Sequence, residues 1–270
     1  MNMIFSESSN VTLVITSCNR FKLLRETLDS FEKNNTYPIK EVIIIEDSGY
    51  EEIKNIIPNS WLDHTKILIN KVNLGQIKSI DLAYSHVKTD YIFHCEDDWF
   101  FYRKGFIEDS LQILEADQSV LTVWLRDIEK DVIKHYQYHS VSNKNNINSI
   151  EFYTLESTSS QWRGFTFNPT LKRMEDYKKV STYMRPYMKA IEVESFLSQF
   201  YELMGMRTAI LGCSAVKHIG WDEHITTEEE RQIHSQKKQA KARYKKKLKR
   251  NYSLIGFFVG LIIGFILTKL

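Results

Sequence analysis

Four apolar runs, each closed by a polar cluster or a turn, organise the first hundred residues. Residues 11–16 (VTLVIT), 42–45 (VIII), 66–69 (KILI) and 91–95 (YIFHC) have the length and β-branched content of buried strands. Between them Phe21, Leu24, Leu28 and Phe31, and then Ile77, Ile80, Tyr84 and Val87, recur at helical spacing. Strands that are apolar throughout need cover on both faces. Alternation with amphipathic helices supplies it and predicts an α/β fold with a mostly parallel sheet. Such sheets bind ligands outside the carboxyl ends of their strands. Three polar clusters fall there: Thr16-Ser17-Cys18-Asn19-Arg20, Glu46-Asp47-Ser48 and Glu96-Asp97-Asp98. The topology puts them on one rim.

Beyond residue 100 the pattern weakens. A short helix over 51–57 stops at Pro58, a longer one is predicted near 104–117, and a strand near 120–125. Residues 127–160 are polar and Asn/Ser-rich and read as loops. A helix over 192–204 carries Val193, Phe196, Leu197, Phe200, Leu203 and Met204 on one face and ends at Gly205. A strand near 207–211 and the run Val216-Lys217-His218 follow. The three cysteines are widely spaced, so neither a disulfide framework nor a Cys-x-x-Cys metal site is expected, in keeping with a reducing compartment. The first ten residues lack the basic start and apolar core of a signal peptide.

The net charge of +2 hides a segregation. Residues 237–250 (KKQAKARYKKKLKR) hold nine basic residues and no acid. With Lys269 they give the last 34 residues +10, while the first 236 carry −8. The adjoining residues 254–267 (LIGFFVGLIIGFIL) are apolar and uncharged. As a helix, 252–269 would span roughly 27 Å, near the core of a thin bilayer. Three segments are therefore expected: a catalytic domain over 1–225, a basic helical connector over 226–251, and a transmembrane anchor over 252–270. A buried C-terminal helix is the alternative for the last. The basic run suits anionic lipid better than nucleic acid, and the positive-inside rule places the catalytic domain in the cytosol. Gly256, Gly260 and Gly264 form two overlapping G-x-x-x-G motifs that would let two copies pair as a homodimer.

Three acids directly after an apolar strand are costly unless something neutralises them. Mn²⁺ or Mg²⁺ commonly joins one or two carboxylates to a substrate diphosphate. In an extended segment Glu96 and Asp98 would point to the same side and share one metal. Asp47 lies in a turn-prone Asp-Ser-Gly context, suited either to a turn or to bonds with ribose or base.

Together these features resemble the family 2 glycosyltransferases of the GT-A fold. The resemblance is carried by Thr16-Ser17-Cys18-Asn19-Arg20, by Glu46-Asp47, by Asn73-Leu74-Gly75 opening a helix, and by Glu96-Asp97-Asp98. It implies that Thr16, Asn19, Arg20, Asp47, Asn73, Gly75 and Asp97 line the nucleotide-sugar site, with Asp47 toward the nucleoside. It also implies that Asp98, with Glu96, holds the metal. A late His, here His218, can join the metal or the diphosphate in this fold, or serve only as a hydrogen-bonded structural residue. Counting back from Gly205 reaches Glu194 as the base that takes a proton from the acceptor hydroxyl. Trp99 and Trp162 are either sugar and base platforms or core, and Arg163 is a candidate for phosphate or acceptor. The implied reaction is metal-dependent transfer from a nucleotide-sugar, UDP-linked by the form of the acidic triplet, with inversion. Two alternatives remain. One is a degenerate GT-A domain acting as a membrane-bound scaffold or sugar-binding module. The other is a nucleotidyltransferase, which the glycine-free loop after the first strand disfavours. The acceptor and the sugar are not legible.

Overall fold

The computed structural model describes residues 3–221. Its centre is a five-stranded sheet in the order β3-β2-β1-β4-β9. Strands β1 (Val11–Ser17), β2 (Glu41–Glu46), β3 (Thr65–Ile69) and β4 (Tyr91–Glu96) run parallel. Strand β9 (Thr170–Arg173) closes the β4 edge antiparallel. The chain steps from β1 outward to β3 and then returns to the other side of β1, so strand order reverses between β1 and β4. That switch point is where an open α/β sheet makes its ligand crevice.

The alternation of side chains across the pleat explains why these strands are apolar throughout. Leu13, Ile15, Val42, Ile44 and Phe93 face one layer, built with Leu24, Leu28 and Phe31 of α1 (Phe21–Asn34) and Ile107 and Leu114 of α3 (Phe106–Ala116). Val14, Ile43, Ile45 and Ile92 face the other. There they meet Ile80 and Tyr84 of α2 (Gln76–Tyr84) and Val193, Leu197 and Tyr201 of α5 (Ala190–Leu203). A short α4 (Met174–Val180) follows β9. Two 3-10 turns, Glu51–Asn55 and Asn59–His64, connect β2 to β3.

Two smaller sheets complete the site. Strand β5 (Trp99–Phe101) pairs antiparallel with β11 (Val216–His218). A four-stranded sheet runs β6-β10-β8-β7, with β6 (Val120–Trp124) and β10 (Arg207–Leu211) parallel. Strands β7 (His139–Ile147) and β8 (Ile150–Ser157) form a hairpin inside the region expected to be loops. Its turn, Asn148-Ser149, has φ of 47° and 71°, the doubly left-handed form that matches strand twist. Strand β7 reads as loop because HSVSNKNNI is mostly solvent-facing. Its register comes from β8, and that of β8 from β10.

Among the described residues no helix is long and apolar enough to cross a membrane. The expected connector, the apolar segment and Gly256, Gly260 and Gly264 lie outside the described residues.

Phe31 is 1% exposed and packs on Trp61, Phe93, Phe101 and Phe106 with ring centroids 5.0–6.1 Å apart. Phe31→Ala should cost about 3–5 kcal/mol of unfolding free energy in denaturant titration. Phe100→Ala, at an exposed position, should stay within about 0.5 kcal/mol.

Candidate active site

The rim at the carboxyl ends of β1, β2 and β4 is assembled by backbone register. Ser17 sits opposite Glu46, and Thr16 opposite Glu96, so both acidic clusters flank the end of β1. Thr16 is buried at that end. The chain then turns through Asn19, at φ 54°, into α1. Arg20, the residue before that helix, reaches across the switch point. Its Nη1 donates to Asp98 Oδ2 at 2.7 Å, its Nε to Asp97 Oδ2 at 3.3 Å, and its Nη2 pairs with Asp97 Oδ1. Asp97 also accepts from Cys18 N at 3.2 Å.

Register also delivers His218. Pairing of β11 with β5 sets it opposite Trp99, one residue past the acidic triplet. Its Nε2 lies 3.2 Å from Asp98 Oδ2, and Ile219 N donates to the Asp98 carbonyl at 2.9 Å. The chain then passes so close that a Cβ on Gly220 would stand 2.5 Å from Asp98 Oδ2. Sequence reasoning missed this, because nothing local marks Gly220 as a close approach. Asp98 Oδ1 is buried and has no hydrogen-bond partner among the described residues. Burial works against the Asp98 charge, but the His218 bond and Arg20 outweigh it and hold the carboxyl below its usual range. Burial pushes Asp97 the other way, upward, against the pull of Arg20.

Glu96 departs from expectation. Residues 97 and 98 form a turn rather than continuing the strand, so Glu96 and Asp98 do not share a side. Glu96 instead accepts from Gln76 Nε2 at 2.7 Å and Trp99 Nε1 at 3.3 Å. Burial, then the charges of Asp98 and Glu194, raise its pKa well above the ordinary value. Among the described residues no three His, Cys, Asp or Glu side chains converge on a metal position. Trp99 is 1% exposed and is core rather than a platform.

The second cluster is a scaffold for a loop. Asp47 accepts from Leu74 N and Asn70 Nδ2 on Oδ1 and from Gly75 N on Oδ2, each at 2.8 Å. Asn73 Nδ2 donates to the Asp47 carbonyl at 3.1 Å. Gly75 takes φ 84° with open space around its Cα, so backbone conformation, not crowding, calls for glycine. Glu46 Oε1 accepts from Asn19 N at 2.8 Å and Ser48 N at 3.1 Å, tying this loop to the β1 turn.

Glu194 stands on α5. It accepts from Phe167 N at 3.0 Å and Thr166 Oγ1 at 3.4 Å. Burial raises its pKa, against the Phe167 bond and the charge of Lys172. Lys172 is itself buried on β9, donates to the Thr166 carbonyl at 2.9 Å, and is pushed down to about 7 by burial. Glu192, two residues before Glu194, is exposed and accepts from Lys189 N at the start of α5. Trp162 and Arg163 lie on a loop stitched to α5 by Ser195 and Ser198. Arg163 donates to the Ser157 carbonyl at 2.7 Å and faces Glu202 at 3.2 Å, so its guanidinium is already engaged.

The sequence profile described as Glycosyl transferase family 2 matches residues 12–192, two thirds of the chain and all of the rim. The chain belongs to this family. Solved structures agree on the fold. Residues 1–349 of TarS from S. aureus superpose with a TM-score of 0.56 at 13% identity, covering 78% of this chain and 61% of that one. The mannosyltransferase PcManGT from Pyrobaculum calidifontis, in complex with GDP-Man and Mn²⁺, gives 0.58 at 14% identity, covering 82% and 61%. GalNAc-T7 with UDP, GalNAc and Mn²⁺ gives 0.58 at 15%, covering 80% and 45%. The chain thus spans about three fifths or less of these neighbours. No curated protein matches it. Family membership and these neighbours bear out the GT-A architecture expected from the sequence.

Asp47→Ala would strand the Leu74 and Gly75 N–H groups and leave the Asn70 amide with only its Ser79 bond. We expect a loss of about 1–3 kcal/mol per group left unpaired, damped where water enters, read as a lowered thermal midpoint. An unchanged midpoint would show that the 73–75 turn does not depend on Asp47.

Proposed function

We propose that this family 2 domain transfers a sugar from a UDP-linked nucleotide-sugar to an acceptor hydroxyl, with inversion, using Mn²⁺ or Mg²⁺. The observation that carries the proposal is Asp98 Oδ1, a buried carboxylate oxygen without a partner at the switch point, beside His218. The carboxylate suits Mn²⁺ or Mg²⁺ and the imidazole favours Mn²⁺ of the two, with positions left for diphosphate oxygens. The residues present therefore fit the ion. It would be held by Asp98 and His218, and when bound would neutralise charge on the leaving diphosphate.

The chain's own groups account for the rest. Asp47 holds the 73–75 turn and keeps a lone pair on Oδ2 for a nucleoside donor group. Arg20 bridges Asp97 and Asp98 and favours the charged form of both, most fully at Asp98. Glu194 takes the proton from the acceptor hydroxyl as that oxygen bonds to the anomeric carbon and the bond to the diphosphate breaks. The neighbours whose structures contain GDP-Man or UDP with Mn²⁺ support a nucleotide-sugar and a divalent ion. The UDP-GlcNAc complex of TarS supports a UDP-linked donor. A catalytically silent sugar-nucleotide-binding domain is a second reading, favoured by the Arg20 guanidinium already seated on Asp98 Oδ2. In either case the basic run 237–250 beside the apolar 254–267 would hold the domain on the cytosolic face of a membrane.

Turnover of a panel of UDP- and GDP-sugars separates the two. Metal-dependent release of nucleoside diphosphate is expected from the native chain, with at least a 100-fold loss in Asp98→Ala, on the order of a removed electrostatic contact in the transition state. Full activity of Asp98→Ala would contradict the assignment. A second measurement concerns pH. The Glu194 base must be deprotonated and its pKa is raised, so activity should fall on acidification at a pH above the ordinary glutamate range. Glu194→Gln should remove that limb together with a roughly 10²–10⁴-fold share of the rate. Retention of both would reassign the base.

A further inference from the structure

The sequence left the acceptor illegible, and the second sheet carries a feature that bears on it. Tyr136, Tyr138 and Trp162 are half-buried and lie edge to face, with ring centroids 5.4 Å apart for Tyr136–Trp162, 6.0 Å for Tyr138–Trp162 and 6.1 Å for Tyr136–Tyr138. Buried Trp124 and His139 back the group at 5.9 and 5.2 Å from Trp162. We propose that this aromatic shelf binds a neutral saccharide and offers one of its hydroxyls to Glu194, so that the acceptor of the transfer is a glycan. The proposal rests on the glycosyl-transfer reading above and names its acceptor class.

The shelf and the base share one frame. Ser195 Oγ donates to the Gln161 carbonyl at 2.6 Å, and Arg163 N donates to Ser198 Oγ at 2.5 Å, so both sides of Trp162 are fixed to α5. A few residues on, Phe167 N donates to Glu194 on the same helix. Segment 161–167 therefore carries a shelf ring at one end and seats the base at the other. Burial, then the charges of Tyr136 and Glu194, raise the Tyr138 phenol to about 12, so that hydroxyl stays protonated. The shelf is also continuous with the rim. The Arg126 guanidinium lies 5.1 Å from the Tyr136 ring and 5.5 Å from the Trp99 ring, and Trp99 holds Glu96.

Charge decides between a sugar and a phosphate. Arg126 is matched by Asp131, to which its Nε and Nη2 donate at 2.8 and 2.6 Å. Burial pushes His139 below its ordinary value, toward the neutral form. Neither group offers a phosphate an unmatched cation. What remains is a half-exposed cluster of aromatic rings with phenol groups, a combination that can meet the C–H face of a sugar ring and its hydroxyls.

The full chain should be titrated with cellohexaose, chitohexaose and mannohexaose, followed by tryptophan fluorescence and by proton NMR. UDP and GDP should be titrated into the same preparation by calorimetry. At least one oligosaccharide is expected to bind, with its C–H signals shifted upfield by the rings. Tyr138→Ala should weaken that binding about tenfold, the upper range of one aromatic contact, while Tyr138→Phe keeps most of it. No oligosaccharide binding, binding without upfield shifts, or equal affinity in a Tyr138→Ala variant that circular dichroism shows folded would each overturn the shelf. Nucleotide binding without oligosaccharide binding would remove the shelf alone. Absence of nucleotide binding would remove the transfer reading on which it rests.

Discussion

The site depends on one cation. Arg20 leaves the end of β1 and seats its guanidinium on Asp97 and Asp98 beyond the end of β4. Two nearly buried carboxylates one residue apart repel each other and lose hydration, at a cost of several kcal/mol per ion in real interiors. Arg20 offsets this for both, and it does so across the point where strand order reverses. Without it, only His218 at Asp98 and the Cys18 N–H at Asp97 would compensate two buried carboxylates, and removing one partner of a buried ion pair is strongly destabilising. The same contact leaves Asp98 one open oxygen. The acidic turn is thereby stabilised in the folded chain while keeping a free valence for chemistry.

Around that contact the chain spends its polar groups on positioning. Glu46 and Asp47 accept five backbone and side-chain bonds from the loops beside them, so the second acidic cluster shapes the rim from behind. Glu194 belongs to another layer, on α5, seated by the 166–167 backbone with Lys172 buried behind it. On the proposed reading, leaving-group chemistry and acceptor chemistry would come from two halves of the fold, the β1–β4 rim serving the donor and α5 with the second sheet the acceptor.

The donor half was legible because its signals are periodic. Strands β1 to β4 are short, apolar and separated by helical stripes, so the parallel sheet and its rim follow from spacing. The acceptor half was not. Strand β7 has one buried residue, the rest being exposed or half-exposed, and its form is imposed by partners in β8 rather than by its own residues. The misplacement of Glu96 has a local cause. A two-residue turn at 97–98 breaks the period-two alternation that would have aligned Glu96 with Asp98. The sequence left Trp99 as platform or core, and its register against His218 buries it in the core. The Arg20 contact spans 78 residues in sequence and leaves no local signature at either end.

The central claim is that Asp98 holds a divalent ion together with a substrate diphosphate. Electron paramagnetic resonance of Mn²⁺ titrated into the full chain tests this directly, with and without UDP. The account predicts weak Mn²⁺ binding by the protein alone, marked tightening with UDP, and loss of that tightening in Asp98→Ala. Equal tightening in Asp98→Ala, or none in the native chain, would contradict it.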